Sequence, residues 1–311
     1  MRIIGSSRLM GVAAFMMSTY LIPSPATALN SSPDIDITTP AGRKVTVSAV
    51  TDGIIKVTNL MPGEQPQAPS ASVLTGSNAR VNVTSAPGVA VLTTGEGIVV
   101  RVDSVSGGVD INAGSGKGVS DPGIRTMAEG RQSLSLSTIG GGSFYGAGER
   151  GHSFNLAGDT LVMYNRQNYG YTADDPRISQ MNITMPLFIS SNGYSVVFDD
   201  YAAAEMVMSN PIVYTSQSRT PISYYFINGA GTLADATRQL SALTGRQDLP
   251  PFWSLGYITS KYGYRTQAET VGVVDTLRRA GYPVDGIVLD LYWYGKEQDM
   301  GRLAWDPDQW P

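Results

Sequence analysis

The sequence predicts an antiparallel β-sandwich followed by a βαβ unit that opens a second, α/β domain. Three observations carry this reading. Short apolar, partly alternating segments between Gly and Pro clusters fill the chain to about Phe226. Helical periodicity begins after Asn228, and a continuous apolar run, Gly286-Ile-Val-Leu-Asp290, has the texture of a parallel strand buried on both faces. The length of 311 residues fits two domains better than one.

The elements follow in order. Residues 1–28 read as an export signal, with Arg2 and Arg8 at the start, an apolar run from Gly11 to Ile22, and the small-x-small site Ala26-Thr27-Ala28. That run is too short to span a bilayer core of about 30 Å. Cleavage after Ala28 and a secreted or periplasmic mature protein, without membrane attachment, are therefore expected. Residues 29–228 form the expected sandwich. Its strands include Ile35–Thr38, Lys44–Val50, Ile54–Val57, Ala79–Val83 and Gly97–Asp103, and then Leu161–Tyr164, Met185–Ile189, Ser195–Phe198 and Ile222–Phe226. Residues 229–249 read as a helical linker. Thr232 begins it, Leu233, Ala236, Leu240 and Leu243 share one face, and Gly245 stops it. Residues 250–311 open the second domain, with a strand over Phe252–Thr259 and a helix starting at the capping box Thr266-Gln-Ala-Glu269. The strand at Gly286–Asp290 completes a βαβ unit that fits an α/β barrel or a doubly wound sheet equally.

Composition narrows the chemistry. There is no Cys and one His, so thiol nucleophiles, disulfides and three-histidine metal sites are excluded. His152 lies in a polar stretch and reads as an ordinary surface residue. Net charge is −4 with no basic cluster, which gives nucleic acid no purchase. Gly146-Ala-Gly-Glu-Arg-Gly151 matches the spacing of a dinucleotide fingerprint, but no helical pattern follows to hold a pyrophosphate. Gly114-Ser-Gly-Lys-Gly118 lacks the leading glycine and trailing Ser or Thr of a phosphate loop and reads as a hairpin turn. Asp174-Asp175 reads as a solvated turn before Pro176. No cofactor is expected.

The segment Val288-Leu-Asp-Leu-Tyr-Trp-Tyr294 is the chemically informative one. An acid ends a buried parallel strand and aromatics follow, where α/β barrels gather ligand-binding groups. Carboxylates accept hydrogen bonds from sugar hydroxyls, and aromatic faces cover the C–H faces of pyranose rings. Tyr257, Tyr262 and Tyr264 would line the same mouth. The pattern fits equally an Asp that caps the next turn, with the aromatics serving as core.

Several segments in order resemble glycoside hydrolase family 31, the α-glucosidase, α-xylosidase and α-transglucosylase type. They are Phe144–Arg150, Tyr164–Tyr171, Pro186–Tyr194, Pro250–Tyr257, Ser260–Arg265, Pro283–Asp290 and Trp305–Pro307. The resemblance covers about residues 140–311, and it implies that residues 250–311 begin an incomplete (β/α)8 barrel. It implies a retaining exo-acting enzyme on α-linked oligosaccharides or glucans, with two catalytic aspartates on later barrel strands. Those would lie beyond Pro311, so no catalytic acid is assigned in this chain. The resemblance carries a substrate-binding role to Asp290, to its apolar neighbour Leu291, to Tyr292 and to Tyr262. It also implies that the loop holding Gln167 and Tyr169 reaches towards the substrate, although Gln167 departs from the family's frequent Asp. A transglucosylase or α-xylosidase remains compatible. A carbohydrate-binding sandwich alone would not need the βαβ segment.

Overall fold

A computed structural model describes residues 34–311, apart from 75, 114–115, 124, 129–130, 152 and 167–181. The signal segment, His152, Asp174-Asp175 and the predicted substrate residues Gln167 and Tyr169 lie outside the described residues. The described residues divide into two compact units that meet between Gly245 and Arg246.

The first unit is a sandwich of two antiparallel sheets. In chain order its strands begin β1 (Ile35–Thr38), β2 (Lys44–Thr51), β3 (Ile54–Leu60), β4 (Val81–Ala86), β5 (Val89–Thr94) and β6 (Val99–Asp103). Then come β7 (Val109–Asn112), β8 (Gly118–Asp121), β9 (Arg125–Ala128), β10 (Arg131–Ile139), β11 (Phe144–Gly148) and β12 (Thr160–Met163). The last are β13 (Thr184–Ser190), β14 (Tyr194–Asp199), β15 (Ala204–Val207), β16 (Ile212–Ser216) and β17 (Ser223–Asn228). One sheet runs β1-β2-β3-β17-β14-β13-β11; the other runs β12-β15-β16-β10-β8-β7-β6-β5-β4, with β9 paired to β10.

Period-two alternation explains the pairing of the sheets. In β10, Gln132, Leu134, Leu136 and Thr138 are buried while their neighbours are not, so one face of the strand is committed to the interior. Val45, Val47, Ile55, Val57, Phe188 and Phe226 from one sheet meet Leu92, Val100, Ile111, Leu134, Leu136 and Ile212 from the other in a single core. Phe198 of β14 stacks on Tyr214 of β16 with centroids 4.2 Å apart, which joins the sheets directly. Strands β14 and β17 are buried at every position because the outer face of their sheet is covered too. Helix α1 (Leu233–Thr244) does this by packing Leu243 with Ile54, Val73, Val197, Tyr225 and Ile227.

Helix α1 starts where Thr232 was expected to start it, its Oγ1 accepting from Asp235 N at 3.0 Å, and ends at Gly245 with φ 86°. Its predicted face needs one correction. Leu233 is 42% exposed, and Gln239 instead is buried beside Ala236 and Leu243. Strands β7 and β8 pair antiparallel, Asn112 opposite Gly118, and Ala113 N donates to the Lys117 carbonyl at 2.9 Å; residues 114–115 of the glycine-rich segment lie outside the described residues. Gly146-Ala-Gly lies within β11 and pairs with β13 through a register shift, with Ala147 at φ 60°. At Gly148 a Cβ would meet the Ile183 carbonyl oxygen at 2.3 Å. These glycines admit a neighbouring strand, not a pyrophosphate.

The second unit contains β18 (Ile258–Ser260), helix α2 (Gln267–Arg279) and β19 (Gly286–Val288). Strands β18 and β19 pair in parallel, Thr259 opposite Ile287, which is the expected βαβ unit. The expected strand over Phe252–Thr259 is shorter than read. Phe252–Leu255 form a 3₁₀ turn in which Ser254 N and Oγ both donate to the Pro251 carbonyl, at 2.9 and 2.7 Å. An apolar run alone does not separate a strand from a turn, and the preceding proline offers its carbonyl to close one.

Candidate active site

The site is built where the chain leaves the two parallel strands. After β18, Thr266 caps α2, its Oγ1 accepting from Glu269 N at 3.0 Å. The Glu269 carboxylate accepts from Arg265 N at 2.8 Å and pairs with the Lys261 ammonium. Lys261 first, then Arg265 N, holds this carboxyl below its ordinary range. Residues 261–266 are therefore fixed from both ends, with Lys261 4.9 Å above the Tyr264 ring.

After β19 the backbone takes an unusual course. Asp290 has φ 62° and Tyr292 φ 67°, left-handed values that carry a steric cost for residues with a Cβ. The surrounding contacts hold this geometry. Tyr264 N donates to the Leu289 carbonyl at 3.3 Å, and Trp310 Nε1 donates to the Tyr292 carbonyl at 3.0 Å. Gly263 must be a glycine here: its φ is 69°, and a Cβ would lie 2.4 Å from Tyr292 Cδ2.

Tyr292 is clamped. The Arg265 guanidinium lies 4.2 Å from its ring centroid, and its hydroxyl donates to Glu297 Oε1 at 2.6 Å. The bond to Glu297 raises the phenol above its ordinary range, because ionisation would lose a hydrogen bond to a carboxylate. Leu291, Tyr292 and Tyr294 are buried together, with Trp293 packed against them. Trp293, Trp305 and Trp310 continue the cluster at centroid separations of 5.4 and 5.7 Å. The Tyr294 hydroxyl is buried without a hydrogen-bond partner among the described residues. Burial raises it, and the charges of Glu297 and then Asp290 add to the effect.

The backbone past β19 thus places the predicted residues at different depths. Asp290 is exposed and Tyr262 is 72% exposed, whereas Leu291 and Tyr292 lie beneath them. Tyr264 is buried and packs under Lys261 instead of lining the mouth. Two residues without a sequence signal of function, Arg265 and Glu297, hold Tyr292 in place. Arg265 sits in a segment singled out for its aromatics, and nothing in the spacing of Glu297 distinguishes it from any exposed acid. Among the described residues no cluster of three His, Cys, Asp or Glu could hold a metal ion, and no helix is long and apolar enough to cross a membrane.

A two-sheet sandwich followed by a βαβ unit, with an acid and aromatics at the carboxyl end of its second strand, is the arrangement that the family resemblance predicts. The model of the glycosyl hydrolase 31 N-terminal galactose mutarotase-like domain matches residues 44–206, and that of the glycosyl hydrolases family 31 TIM-barrel domain matches residues 247–311. The chain belongs to glycoside hydrolase family 31. An alpha-xylosidase of Saccharolobus solfataricus is 30% identical over 211 residues, 64% of this chain and 29% of the relative. An alpha-glucosidase of the same organism is 27% identical over 210 residues, 63% of this chain and 28% of the relative. Among solved structures, the family 31 dextranase of Flavobacterium johnsoniae complexed with isomaltotriose aligns with a TM-score of 0.76 at 20% identity. That alignment covers 91% of this chain and 36% of the dextranase. A family 31 alpha-xylosidase from a soil metagenome, complexed with xylose, gives 0.75 at 19% identity, over 91% and 44%. These two establish the sandwich and the opening of the barrel. The chain spans less than a third of the length of the curated relatives it matches.

Proposed function

We propose that this chain is the front part of an exported, retaining exo-α-glycosidase acting on α-linked oligosaccharides, and that Asp290 binds hydroxyls of the non-reducing sugar. The observation that carries the reading is the left-handed backbone at Asp290. It sets an exposed carboxylate just past a parallel barrel strand, on a bed of buried aromatics. Tyr262 offers the neighbouring exposed ring, while Leu291 and Tyr292 shape the floor under it. Export rests on the basic start, the apolar run and the Ala26-Thr27-Ala28 site. The named relatives, an alpha-xylosidase and an alpha-glucosidase, support an α-glycoside as substrate.

Retention requires two carboxyl groups about 5–5.5 Å apart, one as nucleophile and one as acid/base. Both fall on later barrel strands in this reading, so the 311-residue polypeptide alone releases no product from an aryl α-glycoside. In the catalytically complete enzyme, proton NMR during the first minutes of hydrolysis should show the α-anomer of the released sugar. Initial β-anomer would overturn the retaining assignment. Transfer to a second sugar instead of water, as in a transglucosylase, is the second reading. Tyr292-Trp-Tyr-Gly295 is compatible with it.

A further inference from the structure

On the outer face of the seven-stranded sheet lies a lysine with no catalytic assignment. Lys56 projects from the middle of β3, opposite Ser48 on β2 and Tyr225 on β17. Its ammonium sits 5.6 Å from the centroid of the Tyr225 ring. Around it is a cavity of about 230 Å³ walled by Asp34, Ser48, Tyr225 and Ser77, with Pro69, Leu74 and Gly76 exposed at the mouth. We infer that Lys56 is a covalent modification site, whose amine captures small neutral aldehydes, such as the open-chain form of a short aldose, as a Schiff base.

Three features support the assignment. First, no carboxylate lies within ion-pair distance of Lys56 among the described residues, whereas Lys261 is tied to Glu269. Second, partial burial pulls the amine below the usual lysine range, with Asp199 opposing only in part, so more of it is free base near neutral pH. Third, Asp34 in the wall and Asp199 nearby disfavour an anionic guest. A neutral electrophile of two to four carbons fits both the charge and the space. In the step itself the nitrogen lone pair attacks the carbonyl carbon, and an N–H proton passes to the oxygen. The resulting hydroxyl leaves as water with the second N–H proton, and C=N replaces C=O.

The test uses the folded 311-residue chain, glycolaldehyde below one equivalent, and cyanoborohydride to reduce each C=N to a stable secondary amine. Peptide mass mapping then compares the five lysines, Lys44, Lys56, Lys117, Lys261 and Lys296. Lys56 should outpace each of the others by at least about threefold, because the cavity walls hold the aldehyde beside its amine, and the advantage should vanish in urea. A native rate no higher than that of exposed Lys44 on the adjacent strand would overturn the assignment. Ser48→Phe fills the cavity and should abolish the preference. Full preference in a folded Ser48→Phe variant would equally overturn it, and should that variant fail to fold, the native comparison decides alone.

Discussion

The sandwich and the barrel segment obey the same packing rules with opposite outcomes. In the sandwich, residues such as Val47, Val57, Leu92 and Leu134 are wholly inaccessible, because each sheet covers the other. In residues 246–311, strand and helix residues that carry the apolar pattern remain open to solvent: Ile258 is 38% exposed, Val288 46% and Val271 52%. A parallel strand pair needs apolar cover on both faces, and three residues per strand supply little of their own. Apart from Tyr264 and Thr270, the side chains buried in that unit lie past β19, in and beside the cluster of Leu291, Tyr292 and Tyr294. The fold-forming pattern and the finished packing are thus separable: the barrel segment has the first and, outside its site, little of the second.

That contrast can be broken experimentally. All four tryptophans, Trp253, Trp293, Trp305 and Trp310, belong to the barrel segment, so their fluorescence reports that unit, while far-UV circular dichroism is dominated by the sandwich strands. In urea the fluorescence transition should precede the dichroism transition; coincident curves would mean one cooperative unit. Core truncation should show the same asymmetry. Phe226→Ala, which removes a ring stacked on Tyr194 at 5.3 Å, should cost the sandwich about 3–5 kcal/mol. Val288→Ala, at a half-open position, should cost under about 1 kcal/mol. Equal costs would erase the distinction.

Within the sandwich, the Asp121–Arg125 pair sharpens the picture, since both side chains are almost fully buried at 2.9 Å. Arg125→Met leaves the Asp121 charge uncompensated and should cost about 3–5 kcal/mol at neutral pH, read by urea titration. The smallest effect expected is at the helix start. Thr232→Ala removes the cap of α1 and should cost about 1 kcal/mol, visible as a small shift in the dichroism midpoint.

The sequence made the alternating strands legible because burial on one face writes itself as period two. The four-residue β8 and β9, separated by Pro122-Gly123, escaped, and so did the longer β5, β10 and β16; in β10 Gln132 and Thr138 take inward places beside only two leucines, which blurs the apolar period. Helix α2 was legible from Thr266, whose Oγ1 accepts from Glu269 N, but the capping box read there is only half made, since the Glu269 carboxylate turns to Arg265 N and Lys261. The strand over Phe252–Thr259 was overread, since composition could not show the turn closed on Pro251. In the candidate site, Asp290 stood out by its place at the end of an apolar run. The depth of each neighbour did not, because it depends on two left-handed residues, and only the fold reveals that backbone. The Arg265–Tyr292–Glu297 clamp joins residues 27 and 5 positions apart, a pairing that no local pattern encodes.

The measurement that bears most directly on the account is Asp290→Asn in the catalytically complete enzyme, with kcat/KM and melting temperature taken on the same preparation. The substitution keeps the shape, removes the charge and turns one acceptor into a donor. Hydrogen bonds to a charged group contribute roughly 1.5–3 kcal/mol, so kcat/KM should fall by at least about ten- to a hundred-fold. Melting temperature should stay near that of the parent, because Asp290 is exposed and beyond the strand. Parent-like kinetics with a lowered melting temperature would contradict the account and leave Asp290 as part of the turn alone.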